Sequence, residues 1–516
     1  MIGSGADAAI ERHLARLSLP ELVSLLTGAD FWVTSAQPRI GLRSMVLSDG
    51  PAGVRGQRWD EHPSVALPAP TSWAASWDET LVARLAGLLA GEARRKGVDV
   101  VLGPTVNLQR SPLAGRHFEC LSEDPLLSGR MGVAYVRGLQ AVGVAATAKH
   151  YVANDAETRR FTVDVRVDER TLREIYLTPF EQLVTDGGVW VVMAAYNGVN
   201  GTTMTDHPLL TDPLVTEWGF DGVVVSDWYA TRSTEASAVA GLGLVMPGPG
   251  GPWGQALVAA VADGSVPAAL VEDKARRILR LARRVGALPD TAVPVEQPDA
   301  PSPEEIAALL RHAAADGMVL LRNAGEALPL DPRSLRRVAV LGPNALIPAV
   351  QGGGSIGVTA QYTVTPVHGL RAALGDGVHV AHATGVHNRP GLSPVSADLV
   401  TCPSCWRPGL AVRYLDREGR QLRAEHRTSG RLVWSGLRQS SWPAPRSRSP
   451  RASAPRRRDD GAWASPGWGR SPSAWTVSGS WRTSPWKTTT SPRSSLTLRS
   501  VGSPGPWRPA RRSMSR

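Results

Sequence analysis

The stretch FDGVVVSDWYATRS, Phe220 to Ser233, runs through three successive valines and stops abruptly at Ser226, Asp227 and Trp228. An apolar run without alternation marks a strand covered on both faces, as in a parallel sheet flanked by helices. A carboxylate at the end of such a strand either caps a following helix, for which Asp is favoured, or performs chemistry.

The same pattern recurs upstream and downstream. Short apolar runs ending in polar residues occur at MVLSDG (45–50), VDVVLGPTVN (98–107), GVAATAKH (143–150), VWVVMAAYN (189–197), GVVVSDW (222–228) and GLGLVMPG (241–248). Between them lie DETLVARLAGLLAGEARRKG and DERTLREIYLTPFEQLVTDGG, with apolar residues at helical spacing. Strands alternating with helices predict parallel β-structure. Six units in about 200 residues favour a (β/α)8, TIM-like barrel over a doubly wound sheet. No glycine-rich dinucleotide fingerprint follows the first strand, which argues the same way.

The barrel is expected over residues 1–285. GALPDTAVPVEQPDAPSP, 286–303, has the Pro and Ala content of a linker. A second, incomplete α/β sandwich domain is expected over 304–400. It contains a helix in PEEIAALLRHAAADG, strands in MVLLRN and RVAVLGPN, and a glycine-rich loop in VQGGGSIGV. From 401 to 437 the alternation of GLAVRYLDREGRQLRAEHRTSGRLVWSG predicts antiparallel β, the start of an all-β module.

The formal charge of +11 is confined to the end of the chain. Residues 438–516 hold 16 Lys and Arg against 2 Asp and Glu, leaving 41 basic and 44 acidic residues before them, a balance of −3. The body is thus not a nucleic-acid binder by charge. Ser, Arg and Pro make up 44 of the last 79 residues, and the seven tryptophans among them follow no period. Such a segment is expected to be disordered. An Arg/Trp arm on nucleic acid is one reading of it; out-of-frame translation of a GC-rich gene accounts better for so abrupt a change, so no nucleic-acid partner is expected.

Three cysteines, Cys120, Cys402 and Cys405, are too few for a disulfide framework and point to a reducing, cytoplasmic setting. Cys402-Pro-Ser-Cys405 is a single CxxC without a second pair, and no metal or other cofactor is expected from it. The N-terminus lacks the basic start and apolar core of a signal peptide, and no 18-residue apolar run exists, so no membrane partner is expected.

In a barrel of this kind the active site lies at the C-terminal ends of the strands. Those ends carry Asp49, Asn107, Lys149 with His150, Tyr196 with Asn197, and Asp227 with Trp228; Arg116 sits on the loop GRHFECLSEDP. Carboxylates, cations and aromatics without clustered metal ligands suit a sugar: charged groups bond hydroxyls, and an indole covers the ring's C–H face. Each residue also has a plainer reading. Asp49 could start a turn, Lys149 and His150 could lie on the surface, Arg116 could pair with Glu119 or Glu123, and Asp227 could cap a helix.

The combination resembles glycoside hydrolase family 3, the β-glucosidase and β-xylosidase group. The resemblance rests on LLTG, SDGPAGVR, GPTVNLQRSPLAGRHFECLSEDP, AKHYVANDAETRR, MAAYNGVNG and GFDGVVVSDW, then GMVLLRNAGEALPL and VAVLGPNA…QGGGSIGV, over roughly 15–435. The stretch from Gly409 resembles the start of a PA14 module. The resemblance implies a retaining mechanism on terminal non-reducing β-D-glucosyl or related residues of small glycosides or oligosaccharides. Asp227 matches its nucleophile, and Asp49, Arg116, Lys149, His150, Tyr196 and Trp228 match positions lining the sugar subsite. Two-domain members take their acid/base from beyond the PA14 insertion. The single-domain branch uses a His/Asp pair in a KHFPGHG-like motif, where this chain has KHYVANDAE. AGLGLVMPGPGG also departs from the family, which has Asp and Glu at the positions of Gly243 and Val245. The chain is therefore expected to be truncated or frame-disrupted and impaired in turnover, the alternative being a non-catalytic sugar-binding protein that keeps the pocket. The motifs set neither gluco, xylo or galacto preference nor oligomeric state.

Overall fold

The computed structural model describes residues 4–56, 63–288, 300–386, 399–415 and 420–428, with short strands at 475–478, 480–481 and 495–498. The chain divides into two compact units, 1–388 and 389–516.

The first unit is built on five parallel strands: β1 (Leu47–Asp49), β2 (Val100–Leu102), β3 (Ala145–Tyr151), β4 (Val191–Ala194) and β5 (Val223–Ser226). Every residue in them is buried. They pair in sequence order, with Leu47 opposite Val100 and Val191 opposite Val223. A doubly wound sheet reverses direction at a switch point; this one does not. The run expected as a sixth strand, 241–248, forms only single bridges. Leu244 pairs in parallel with Val225 and Val245 with Thr27, and antiparallel bridges Gly28–Thr34 and Val33–Val46 lead back to β1. Gly241, Gly243 and Pro247 account for the shortness, because glycine and proline weaken or break a ladder. The approach here is close: a Cβ on Gly248 would lie 1.3 Å from the Gly28 carbonyl oxygen. The fold is therefore α/β with a parallel sheet, less regular than eight identical units.

Helices cover the sheet. Glu79–Arg95 starts at Asp78, whose carboxylate accepts the Leu81 N–H at 3.0 Å, and buries Leu81, Val82, Leu85, Ala86, Leu89 and Ala90 at helical spacing. Pro125–Gln140 starts in the same way at Asp124. The segment predicted as one helix after Asp168 widens to a π-helix over Leu172–Leu177 before Thr178–Thr185. Pro179 brings no N–H to the ladder, and the Thr178 hydroxyl donates to the carbonyls of Arg173 and Glu174 there.

Beyond the expected linker, of which 289–299 lies outside the described residues, Pro303–Asp316 is helical with a Ser302–Glu305 capping box. Arg337–Leu341 and His379–Ala383 form a two-stranded parallel sheet. MVLLRN, predicted as a strand, is not one, and Met318 to Leu321 are exposed. A strand needs a partner edge, and none meets it among the described residues. The glycine-rich loop folds back onto the portion that carries the parallel sheet. Gly352 lies so close to Phe118 that a Cβ would meet the ring at 2.2 Å, and the Arg55 guanidinium donates to the Ser355 carbonyl at 3.0 Å.

In the second unit Leu410–Leu415 pairs antiparallel with Gln421–Arg427, as the alternation predicted. Of 438–516, expected to be without structure, the described residues are strands: Trp475–Ser478 pairs with the 410–415 strand and with Ser495–Leu498, and Ser480–Trp481 with Val400–Thr401. WTVS and SLTL are rich in β-formers, which fits their place in a ladder. The rest of that segment lies outside the described residues. Among the described residues no helix is long and apolar enough to cross a membrane.

Candidate active site

The C-terminal ends of β1, β3 and β5 and the loop after β4 converge on a cavity of about 210 Å³. All seven sequence-predicted residues, Asp49, Arg116, Lys149, His150, Tyr196, Asp227 and Trp228, line it.

Asp227 follows the last residue of β5 and is buried. It caps no helix: the next one, Glu235–Ala240, begins after Thr234. Its Oδ1 accepts the Trp228 backbone N–H at 2.7 Å, and the Tyr196 hydroxyl donates to the carboxylate. Burial pushes its pKa up; Arg116, the Trp228 amide, the Tyr196 hydroxyl and Lys149 offset part of that rise. Burial and the facing Asp227 carboxylate raise the Tyr196 phenol in turn, keeping it protonated as a donor.

Lys149 and His150 are not on the surface; they are 1% and 2% exposed. The Lys149 ammonium stands 3.2 Å from Asp49 Oδ1 and 3.6 Å from Glu119 Oε2. Burial alone would raise Asp49, but Lys149, Arg55 and a hydrogen bond from Ser355 outweigh it and hold the carboxyl below its ordinary range. Glu119 is lowered likewise, burial being outweighed by Arg116 and Lys149, and it accepts the Thr105 hydroxyl at 3.0 Å.

His150 is locked in one tautomer. Its backbone N–H and Nδ1 both meet Asn107 Oδ1, at 2.8 and 2.9 Å, while Nε2 faces Arg116 Nη2 at 3.0 Å. A guanidinium only donates, so Nε2 carries the lone pair and Nδ1 the proton. Burial, then Arg116, Lys149 and Arg160, hold the imidazole pKa well below its usual value. The ring is therefore neutral, and its 3.6 Å approach to Asp227 Oδ2 is not an ion pair.

Arg116 does pair with Glu119, as its plainer reading had it, and also stands 3.5 Å from Glu157. The pairing aims it, so that the same guanidinium holds the loop and reaches His150. Trp228 packs against Trp32 with ring centroids 5.0 Å apart and planes tilted by 39°, and its indole N–H donates to the Phe31 carbonyl at 2.8 Å. Arg55 lies 4.1 Å over the Trp32 ring.

The cavity also takes Phe31, Trp32, Arg160, Phe161 and Ser355, which strand-end reasoning did not select. Phe31 and Trp32 sit at the antiparallel seam, not at a parallel strand end. Phe161 packs 4.4 Å from Tyr196 with Arg160 4.8 Å over the same ring, and Ser355 belongs to the glycine-rich loop. Adjacent aromatics in ADFWVTS and the triple glycine were the available signals.

Residues 25–281 match the glycosyl hydrolase family 3 N-terminal domain, and 318–468 match the family 3 C-terminal domain. The chain belongs to glycosyl hydrolase family 3. It is 47% identical over 393 residues to a beta-glucosidase of Rhizobium radiobacter, covering 76% of this chain and 48% of that protein. It is 43% identical to beta-glucosidase B of Emericella nidulans, covering 80% and 49%. Among solved structures, the beta-glucosidase of Kluyveromyces marxianus in complex with glucose superposes with a TM-score of 0.74 at 33% identity, over 81% of this chain and 52% of that one. DesR, a beta-glucosidase from Streptomyces venezuelae in complex with D-glucose, gives 0.68 at 33%, over 80% and 56%. The chain thus spans about half the length of the curated relatives it matches.

Proposed function

We propose that this protein is a retaining glycoside hydrolase of the β-glucosidase type, forming a covalent glycosyl-enzyme on Asp227 with terminal non-reducing β-D-glucosyl residues of small glycosides. The observation that carries the reading is the Asp227 carboxylate, fixed by an amide and a phenol at the floor of a cavity walled by indoles and a Lys–Asp pair. Asp49, held ionised, accepts hydroxyl hydrogens in charge-assisted bonds, and Trp228 and Trp32 cover the apolar face of the ring. Complexes of relatives with glucose support a sugar of this size.

Retention needs a second carboxyl about 5–5.5 Å from the nucleophile, to protonate the leaving group. Among the described residues the other carboxylate lining the cavity is Asp49, which Lys149 keeps ionised. His150 has no proton on Nε2 to give. The described residues therefore form the glycosyl-enzyme most readily with leaving groups that depart without a proton. Glycosides that need acid help are slower, typically by about 10²–10⁴-fold.

The test is trapping with a 2-deoxy-2-fluoro-β-glucosyl donor bearing an acidic phenol, followed by peptide mapping. One glycosyl group on Asp227, and none in Asp227→Asn, is expected. A label on another residue refutes the assignment, and glucose binding with no label favours a sugar-binding protein without catalysis.

A further inference from the structure

The second unit holds a side-chain cluster that the glycosidase chemistry does not use. Cys402-Pro403-Ser404-Cys405 is the tip of a closed loop. The Trp406 N–H donates to the Cys402 carbonyl at 2.9 Å, the Cys402 N–H to Arg407 at 2.8 Å, and Thr401 bridges Pro408. Beside it runs the strand Gln421–Arg427, whose His426 stands opposite Ala411 in the ladder. This pairing brings a third ligand to the CxxC. The two sulfurs and one ring nitrogen of His426 all lie within 4.8 Å of one another.

The ring is already oriented. His426 Nε2 is 3.0 Å from the Pro408 carbonyl, which only accepts, so Nε2 carries the proton and Nδ1 the lone pair. A metal-bound histidine characteristically donates its other N–H to a carbonyl in this way. Cys402 is buried. Its sulfur lies 3.1 Å from the Ser404 hydroxyl. Cys405 is exposed, leaving a path for an ion to enter.

We propose that Cys402, Cys405 and His426 form a zinc(II) site, with two thiolates and one imidazole as protein ligands and a water in the fourth position. Thiolates and imidazole are the ligand set that selects zinc over magnesium or calcium. A tetrahedral ion with Zn–S bonds of about 2.3 Å places its two sulfurs about 3.8 Å apart, compatible with sulfurs that lie within 4.8 Å of each other. Binding converts two thiols to thiolates and releases up to two protons. The ion would staple the 399–409 loop to the 421–427 strand, holding together a small β-unit as metals commonly do where a core is slight.

The test uses the full chain, reduced with a non-chelating phosphine and titrated with cobalt(II) and then zinc(II). One equivalent per chain is expected, with thiolate-to-cobalt charge-transfer absorption, intense tetrahedral d–d bands and both displaced by zinc. Cys405→Ser and His426→Ala should each weaken binding at least tenfold, while Cys120→Ser keeps the stoichiometry. Absence of the thiolate–cobalt band in the wild-type chain overturns the proposal, whatever the folding of the variants. So does unchanged binding in both Cys405→Ser and His426→Ala, or a Cys402–Cys405 disulfide that survives the reductant.

Discussion

The parallel-sheet portion, up to residue 288, and the portion from 300 to 386 share a sequence texture but differ in what they bury. In the first, a large cluster begins at Ile10 and includes Trp73, Tyr135, Leu89 and Val225, all 1% exposed or less, and it also takes in Ala313 from the Pro303–Asp316 helix of the second portion. It encloses charged groups as well, each with partners: Lys149 with Asp49 and Glu119, and Arg116 with Glu119. In the second, the buried cluster is Ala345, Val367 and Val380, while Leu321 is 91% and Leu341 77% exposed. The same alternation of apolar runs and helices therefore yields a closed core only where strands pair side by side and helices cover the sheet. The lesson is energetic. Local propensity sets what a segment can become, and burial decides whether it does.

Four experiments break or sharpen this contrast. Lys149→Ala removes the buried cation that Asp49 and Glu119 share, and should lower stability in denaturant titration by about 3–5 kcal/mol. A loss under about 1 kcal/mol would mean that water reaches the group. Trp73→Ala, in the large core cluster, should likewise lower it by about 3–5 kcal/mol. Val367→Ala, in the thin cluster, should lower it by roughly 1–2 kcal/mol. Equal effects would erase the distinction between the two portions.

The pH dependence of trapping is the third. Covalent attack needs ionised Asp227, and burial raises its pKa, so the labelling rate should fall with decreasing pH at a midpoint above the ordinary 3.8. Arg116 is the foremost group opposing that rise, so in Arg116→Gln the midpoint should move higher still. An unmoved midpoint would separate Arg116 from the nucleophile. The smallest effect is expected for Leu321→Ser on the exposed run. A change within about 0.5 kcal/mol is predicted, measured beside Leu89→Ser in the large core cluster, which should be severe.

Strand ends were legible because a parallel sheet places polar residues where each apolar run stops: Asp49, Lys149, His150, Tyr196, Asp227 and Trp228 line one cavity with Arg116 from a loop, while the strand-end Asn107 and Asn197 are not among its lining residues. Phe31 and Trp32 were not legible, since they reach the cavity from an antiparallel seam made of single bridges. Neither was Ser355, some 130 residues beyond β5, whose loop sits on Phe118 only because Gly352 has no side chain. His426 escaped for a similar reason: its neighbourhood with Cys402 and Cys405 depends on strand register, and a shift of one residue would turn it to the other face.

By itself, then, the chain's order of residues determined the parallel strands, their polar termini and the family, all of which are written in short-range periodicity and contiguous motifs. Only the tertiary structure decided that Asp227 caps nothing and faces a cavity, that His150 is neutral with its lone pair turned to Arg116, and that Asp49 stays ionised. Those properties depend on desolvation and on charges a hundred residues apart in sequence. No local pattern records such distances.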